Sequence, residues 1–419
     1  MAGSPPSTVP KLRFPEFREA PGWARDQIGN VASITKGRGV SKSDVTEAGA
    51  TPCIRYAELY TCYGEVIRHV VSRTNISPDE LVFSEPEDVI VPASGETRAD
   101  IARAACVVDG GVALGSDLNV LRSQLSGRFF SYVLNSPLRH TIALLAQGDT
   151  VAHLYPAQLS RVSLAYPSRR EQQKIADCLG SLDDLIAAEG RKLDTLRQHK
   201  QGLMQDLFPR IDESQPRMRF PEYARAPAWK PRKISDLLKK ASIQVIVEPD
   251  TKYQEIGVRS HGNGVFHKTP ALGSRLGAKR VFEVVEQALV FNTVFAWERA
   301  VATTSRAEAG MIASHRFPMY LPKFGTCDVR FMKYAFLTQR GAQLLHVASP
   351  GGAGRNRTLG QAELGALVMT VPSLDEQVAI ASMIDAASNL IELQAANWEL
   401  IKQYKAGLLQ QLFPSPGGH

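Results

Sequence analysis

Glycines set beside basic or amide side chains are the features of this 419-residue chain that could do chemistry. In Lys36-Gly37-Arg38-Gly39, bare backbone could approach a phosphate while two cations neutralise it. Arg259, His261-Gly262-Asn263-Gly264 and Lys268 offer the same combination. The run Gly351-Gly352-Ala353-Gly354-Arg355-Asn356-Arg357 brings two guanidiniums and an amide, the side chains that fork onto guanine and adenine edges. Arg55, Ser94, Glu96, Arg98, Asn292 and Arg299, with Trp297 close by, complete the candidate set. Any one Gly-rich loop is as readily a plain turn, so the weight lies in where these loops fall.

They fall in the basic part of the chain. The formal net charge is +7, yet the stretches 171–209 and 376–414 each sum to −2, which leaves +11 on the rest. A polyanion is the partner such a surplus suits, ordinary solubilising charge being the plain alternative. Catalytic patterns are missing. There is no G-x-x-x-x-G-K-[ST] phosphate loop, no Asn/Asp-Pro-Pro-aromatic motif of amino-methyltransferases, no G-x-S-x-G elbow and no His-Glu-x-x-His pair. The residues predict a protein that performs no chemistry itself. Five cysteines (Cys53, Cys62, Cys106, Cys178 and Cys327) are odd in number and lack zinc or redox spacing, so neither disulfides nor a metal are expected. Without a signal-like start or a long apolar run, the expected location is cytoplasmic.

The elements that must position these loops come as a repeat. Residues 171–209 return without a gap at 376–414 with 14 of 39 positions identical, and LRFPEFREAPGW at 12–23 answers MRFPEYARAPAW at 218–229. A period near 205 marks whole domains in tandem, far above the roughly 20–50 residues of solenoid units. In the first helical repeat Ile175, Leu182, Leu196 and Leu203 form one heptad column and Leu179, Ile186, Leu193 and Leu207 the other. In the second the columns read Ile380, Ala387, Ile401, Leu408 and Ile384, Ile391, Trp398, Leu412. Polar residues interrupt them at Glu189, Lys200, Gln394 and Lys405. Two such seams bury most economically against each other, as an antiparallel pair of helices about 55 Å long at ~1.5 Å per residue. In that register Glu189 is expected to approach Lys405, and Lys200 to approach Gln394. Ser168 and Ser373 are the expected N-caps, and Pro209 and Pro414 the stops. The motif R-F-P-E with Trp23 or Trp229 reads as a core anchor. Apolar runs at 88–92, 104–108, 287–291 and 311–314 predict a small mixed or antiparallel sheet in each copy, followed by helical patterns at 128–145 and 329–345. The fold class is α+β, twice, plus long helices. Phe208, Phe413 and Tyr404 near the helix ends are a candidate partner surface.

The alternation of a variable globular segment with a P-x-x-x-E-Q helix ending in K-x-G-L-[LM]-Q-x-L-F, at 167–208 and again at 372–413, resembles the specificity subunit of type I restriction-modification systems. The resemblance implies target recognition domains at 11–166 and 210–371, each reading one half of a split DNA site. It implies spacer helices at 167–209 and 372–414 that pack as an antiparallel coiled coil with pseudo-twofold symmetry, and tails at 1–10 and 415–419. Such a spacer would set the half-sites roughly one to one and a half DNA turns apart. The implied partners are double-stranded DNA, two modification (methyltransferase) subunits and restriction (motor-nuclease) subunits. S-adenosylmethionine, ATP and Mg²⁺ would sit on those partners, and no cofactor on this chain. The two globular segments differ from each other, so no base-reading residue carries over by motif. A free-standing bipartite DNA-binding regulator, or a diverged methyltransferase or nuclease, are the competing readings.

Overall fold

The computed structural model describes residues 9–148, 152–277, 279–351 and 357–414. The chain divides into two compact units, one formed by residues up to Gly190 together with those from Ala396 onward, the other by Arg191–Ala395. Both are mixed α+β, and two long helices, Arg169–Asp206 and Leu374–Leu412, contribute part of their length to each.

In the first unit a five-stranded sheet runs in the order Ala32–Lys36, Leu118–Ser123, Asp88–Pro92, Ala105–Val107, Val66–Ile67, antiparallel except for its last pair. The run at 88–92 is its central strand, buried at every residue, which explains the unbroken apolar stretch. In the second unit a four-stranded antiparallel sheet runs Leu238–Ala241, Met319–Pro322, Leu289–Phe291, Val301–Thr303, and a three-stranded one includes Ile312–Ser314. The helical patterns at 128–145 and 329–345 each divide in two. Gly127–Asn135 stops ahead of Pro137, whose ring cannot continue it, and Arg139–Leu145 follows. Val329–Leu337 gives way to Gln339–Val347 because Thr338 turns the chain and accepts from Gly341 N as an N-cap.

Each long helix is entered in the same way. Ser163–Tyr166 pairs with Ala24–Gln27 in the first unit, and Val368–Val371 pairs with Lys230–Lys233 in the second. Ser168 Oγ then accepts from Glu171 N at 3.5 Å, and Ser373 Oγ from Glu376 N at 3.4 Å. The glutamates do more than charge the first turn. Glu171 is 1% exposed and receives a fork from Arg13 Nε and Nη2 at 2.8 and 2.7 Å, plus Trp23 Nε1 at 3.3 Å. Glu376, equally buried, receives Arg219 Nε and Nη2 at 2.8 and 2.5 Å and Trp229 Nε1 at 3.2 Å. The R-F-P-E motif is therefore an ionic clamp as well as a core anchor, since a carboxylate this deeply buried must be paired. The neighbouring glutamines also work in parallel. Gln172 Oε1 accepts from Ser126 N and Gln377 Oε1 from Asp328 N, at the starts of the helices Gly127–Asn135 and Val329–Leu337.

Every seam residue of both helices is buried or half-buried, and the numbers on one helix fall as those on the other rise. In the first unit Leu412 and Phe413 share a core with Ile175 and Leu179, while Trp398 Nε1 donates to Ile186 O at 2.9 Å. In the second Leu207 and Phe208 share a core with Ile380 and Ile384. Leu182, Leu193, Leu196, Leu203, Ile391, Ile401 and Leu408 lie on the same covered faces. Two expectations are corrected. Phe208 and Phe413 are buried at 4% and 3%, so of the three proposed partner-surface residues Tyr404 alone is exposed. Phe413 sits 6.1 Å from Trp23 and 5.8 Å from Phe129, and Phe208 5.2 Å from Phe331, closing the aromatic core of its unit in each case. Lys405 is held by Asp183 and Glu65 rather than by Glu189. Among the described residues no helix is long and apolar enough to cross a membrane.

Candidate nucleic-acid interface

The second unit carries a cleft of about 1140 Å³ whose walls include three elements besides residues 334–342 and Ile391. One is the tip of the hairpin Ile256–Val258/Val265–His267, where His261, Gly262 and Gly264 all have φ between 60 and 74°. His261 N and Gly262 N donate to Glu298 O and Arg299 O at 2.8 and 3.0 Å, docking the tip on the turn that follows Ala296–Glu298. Arg299 itself is left-handed at φ 60°, a strained conformation for a bulky residue and one that clusters at functional sites. The third wall is the last part of the first long helix, with Arg197, Lys200 and, past its end, Arg210. Five cationic side chains, Arg340 among them, face one carboxylate, Glu298, over a floor that includes Met204, Phe208 and Leu337.

Of the sequence candidates, the structure brings His261 and Arg299 into this cleft together with Trp297, whose Nε1 donates to Val294 O. Asn292 lies beside them and reaches Val258 O at 3.3 Å. Arg259 lies over the Phe266 ring at 5.0 Å, Asn263 Nδ2 donates to Ser260 O, and Lys268 bonds Glu255. Arg357 contacts the His346 ring, and Arg355 and Asn356 lie outside the described residues. In the first unit Ser94 is in a short ladder with His153, and Glu96 after it and Arg98 at the start of the helix Arg98–Ile101 are exposed. Lys36 is exposed at the end of its strand.

Two candidates there have partners within the fold. Arg38 donates to the carbonyls of Asp79, Glu80 and Leu81, and Arg55 is paired with Glu58 at 3.0 Å, so both hold the fold together. Gly37 has a packing reason as well. A Cβ there would meet Gly115 O at 2.2 Å and Leu114 O at 2.4 Å. Arg197, Arg210 and Arg340 escaped sequence reading because nothing local distinguishes them from solubilising charge.

The same helix position is treated differently in the two units. Lys405 is buried at 8% and bonds Asp183 at 2.5 Å and Glu65 at 3.2 Å, with Tyr132 donating to Asp183 at 2.6 Å. Burial pushes the Asp183 carboxyl up, against the pull of Lys405. Lys200, its counterpart 205 positions earlier, is half-buried and makes no hydrogen bond or ion pair among the described residues. Burial lowers its pKa, with Glu392 and Asp385 as the charges that oppose the shift. Asp385 is already engaged by Arg330 at 3.0 Å and by the Tyr334 hydroxyl.

Residues 21–198 match the family model of the type I restriction modification DNA specificity domain. In fold the chain is similar to the S subunit of a type I restriction-modification system from M. genitalium, at TM-score 0.62 and 14% identity, covering 98% of this chain and 100% of that one. It is also similar to a chain from a structure concerned with complex assembly and conformational transition of the type I R-M system, at TM-score 0.52 and 14% identity, covering 94% and 99%. At this identity the likeness is one of fold. No curated protein sequence matches the chain.

Proposed function

We propose that the chain is the DNA-specificity subunit of a type I restriction-modification complex, itself without catalytic activity. It reads a bipartite target through recognition domains at 11–166 and 210–371, held apart by an antiparallel pair of spacer helices at 167–209 and 372–414. The observation that carries this reading is the repeat of one construction around both helices. The specificity-domain match spans the first globular segment and most of the first helix, and the same Arg–Glu–Trp clamp, N-cap serine and terminal Phe recur about 205 residues later. The exposed apolar side chains Leu400 (63%) and Tyr404 (60%) on the second long helix suit docking of the modification subunits, which would flip and methylate an adenine in each half-site.

Methylome sequencing of cells carrying the system tests the proposal. A bipartite adenine motif is expected, and exchanging residues 11–166 for another such segment should change one half only. Purification of the chain without any modification subunit, from cells that encode one, would favour a free-standing regulator. Replacing the exposed Lys36 by Ala should weaken binding to all sequences alike and flatten its salt dependence by about 0.9 in log–log slope.

A further inference from the structure

The first long helix is a covered seam on one side, and its last turns carry cationic side chains on the other. In the second unit they form a wall of the 1140 Å³ cleft opposite the His261 tip and the Arg299 turn. The repeat supplies an internal control for what a lysine at this helix position does. In the first unit Lys405 finds Asp183 on the neighbouring helix and is neutralised. Adding the 205-residue offset to Asp183 gives Ser388, whose hydroxyl instead donates to Ile384 O at 2.7 Å. With a serine in place of that carboxylate, and no acidic side chain bonded to it as Glu65 is to Lys405, Lys200 is half-buried with no hydrogen bond or ion pair among the described residues. Arg210 likewise makes no side-chain hydrogen bond among them, and Arg197 has only the exposed Asp194 three residues away. A desolvated ammonium facing open space is unfavourable until an anion arrives.

We propose that this end of the helix is a DNA-contacting element in its own right: Lys200, Arg197 and Arg210 hold the phosphate backbone of the half-site whose bases face His261 and Arg299. The inference rests on the DNA-recognition reading above and adds to it a role for the spacer. An acidic protein segment is the other occupant that cationic walls would admit. DNA is favoured because the facing wall presents Arg299, an imidazole and backbone at positive φ, the groups that read base edges and approach phosphates closely.

The test is fluorescence anisotropy of the full chain with a labelled random-sequence duplex between about 50 and 200 mM salt, the range over which phosphate contacts are resolved. K200Q should lower the magnitude of the log K against log salt slope by about 0.9, K200R should leave it unchanged, and K200Q with R210Q should lower it by about 1.8. The methylation motif made by the assembled complex should be the same for wild type and K200Q. A wild-type slope that K200Q and R210Q leave untouched overturns the inference, and so does a changed motif, which would make Lys200 a base reader. Loss of modification-subunit binding by K200Q with DNA binding intact overturns it in favour of the protein occupant. A wild-type chain with no salt-dependent DNA binding removes the recognition reading itself. Circular-dichroism melting of each variant confirms that it is folded.

Discussion

Lys405 and Lys200 occupy equivalent positions in a repeated helix and meet opposite fates. The first is closed into a cluster with Asp183, Glu65 and Tyr132, and the second is left facing a cleft. Around both, the Arg–Glu–Trp clamps are nearly superimposable in their distances. The lesson is that the repeat keeps what folds the helix entrance and varies what the helix offers to its surroundings. Where the first unit has the carboxylate of Asp183, the second has the hydroxyl of Ser388, while the seam around both lysines stays covered.

The comparison breaks most decisively at its symmetric part. Arg13→Ala and Arg219→Ala each strand a glutamate that is 1% exposed, and each should destabilise its own unit by about 3–5 kcal/mol. Hydrogen exchange followed through urea titration separates the units, and a loss in only one of the two variants would end the equivalence. Lys405→Met should cost the first unit about 2–3 kcal/mol, discounted from a fully buried pair because Asp183 is about a third exposed, whereas Lys200→Met should cost the second less than about 1 kcal/mol. Equal losses would mean that Lys200 has a structural partner after all.

The smallest effect is in pH dependence. Lys200 and Lys333 are depressed, chiefly by burial, so below the ordinary 10.5 the folded form holds fewer protons than the unfolded one. Stability of the second unit should therefore rise as pH climbs through the window just under 10.5, and Lys200→Met should remove part of that rise. Asp183 is raised, so the folded form binds more protons just above 3.8, and stability of the first unit should fall as pH rises through that window. Unfolding midpoints against pH, read from Trp23 and Trp398 for one unit and Trp229 and Trp297 for the other, check both signs.

Local pattern made the central strand Asp88–Pro92, the N-cap serines and the covered columns of both helices legible, because apolar period and cap chemistry act over a few residues. The breaks at Pro137 and Thr338 were equally local and were overlooked within a continuous apolar pattern. The clamp was harder, since Arg13 and Glu171 are 158 residues apart and only the shared offset of both members hints at a pair. Cation candidates were the least legible. Arg38 and Arg55 look in sequence like Arg197 and Arg210, and only the fold decides which guanidiniums are taken by carbonyls and carboxylates and which remain open.

The reach of Leu412 and Phe413 into the core around Trp23 and Phe129 sets a timetable for synthesis. The second unit is one continuous stretch, complete once Ala395 has left the ribosome, but the first lacks part of its core until Leu412 and Phe413 emerge. At about 5–20 residues per second the wait from Gly190 is on the order of 10–40 s. During that interval the unit begun first is the one whose core is incomplete, and a protease added to stalled nascent chains should cut the first unit before the second. A chain that stops before Leu412 would leave that core without Leu412 and Phe413.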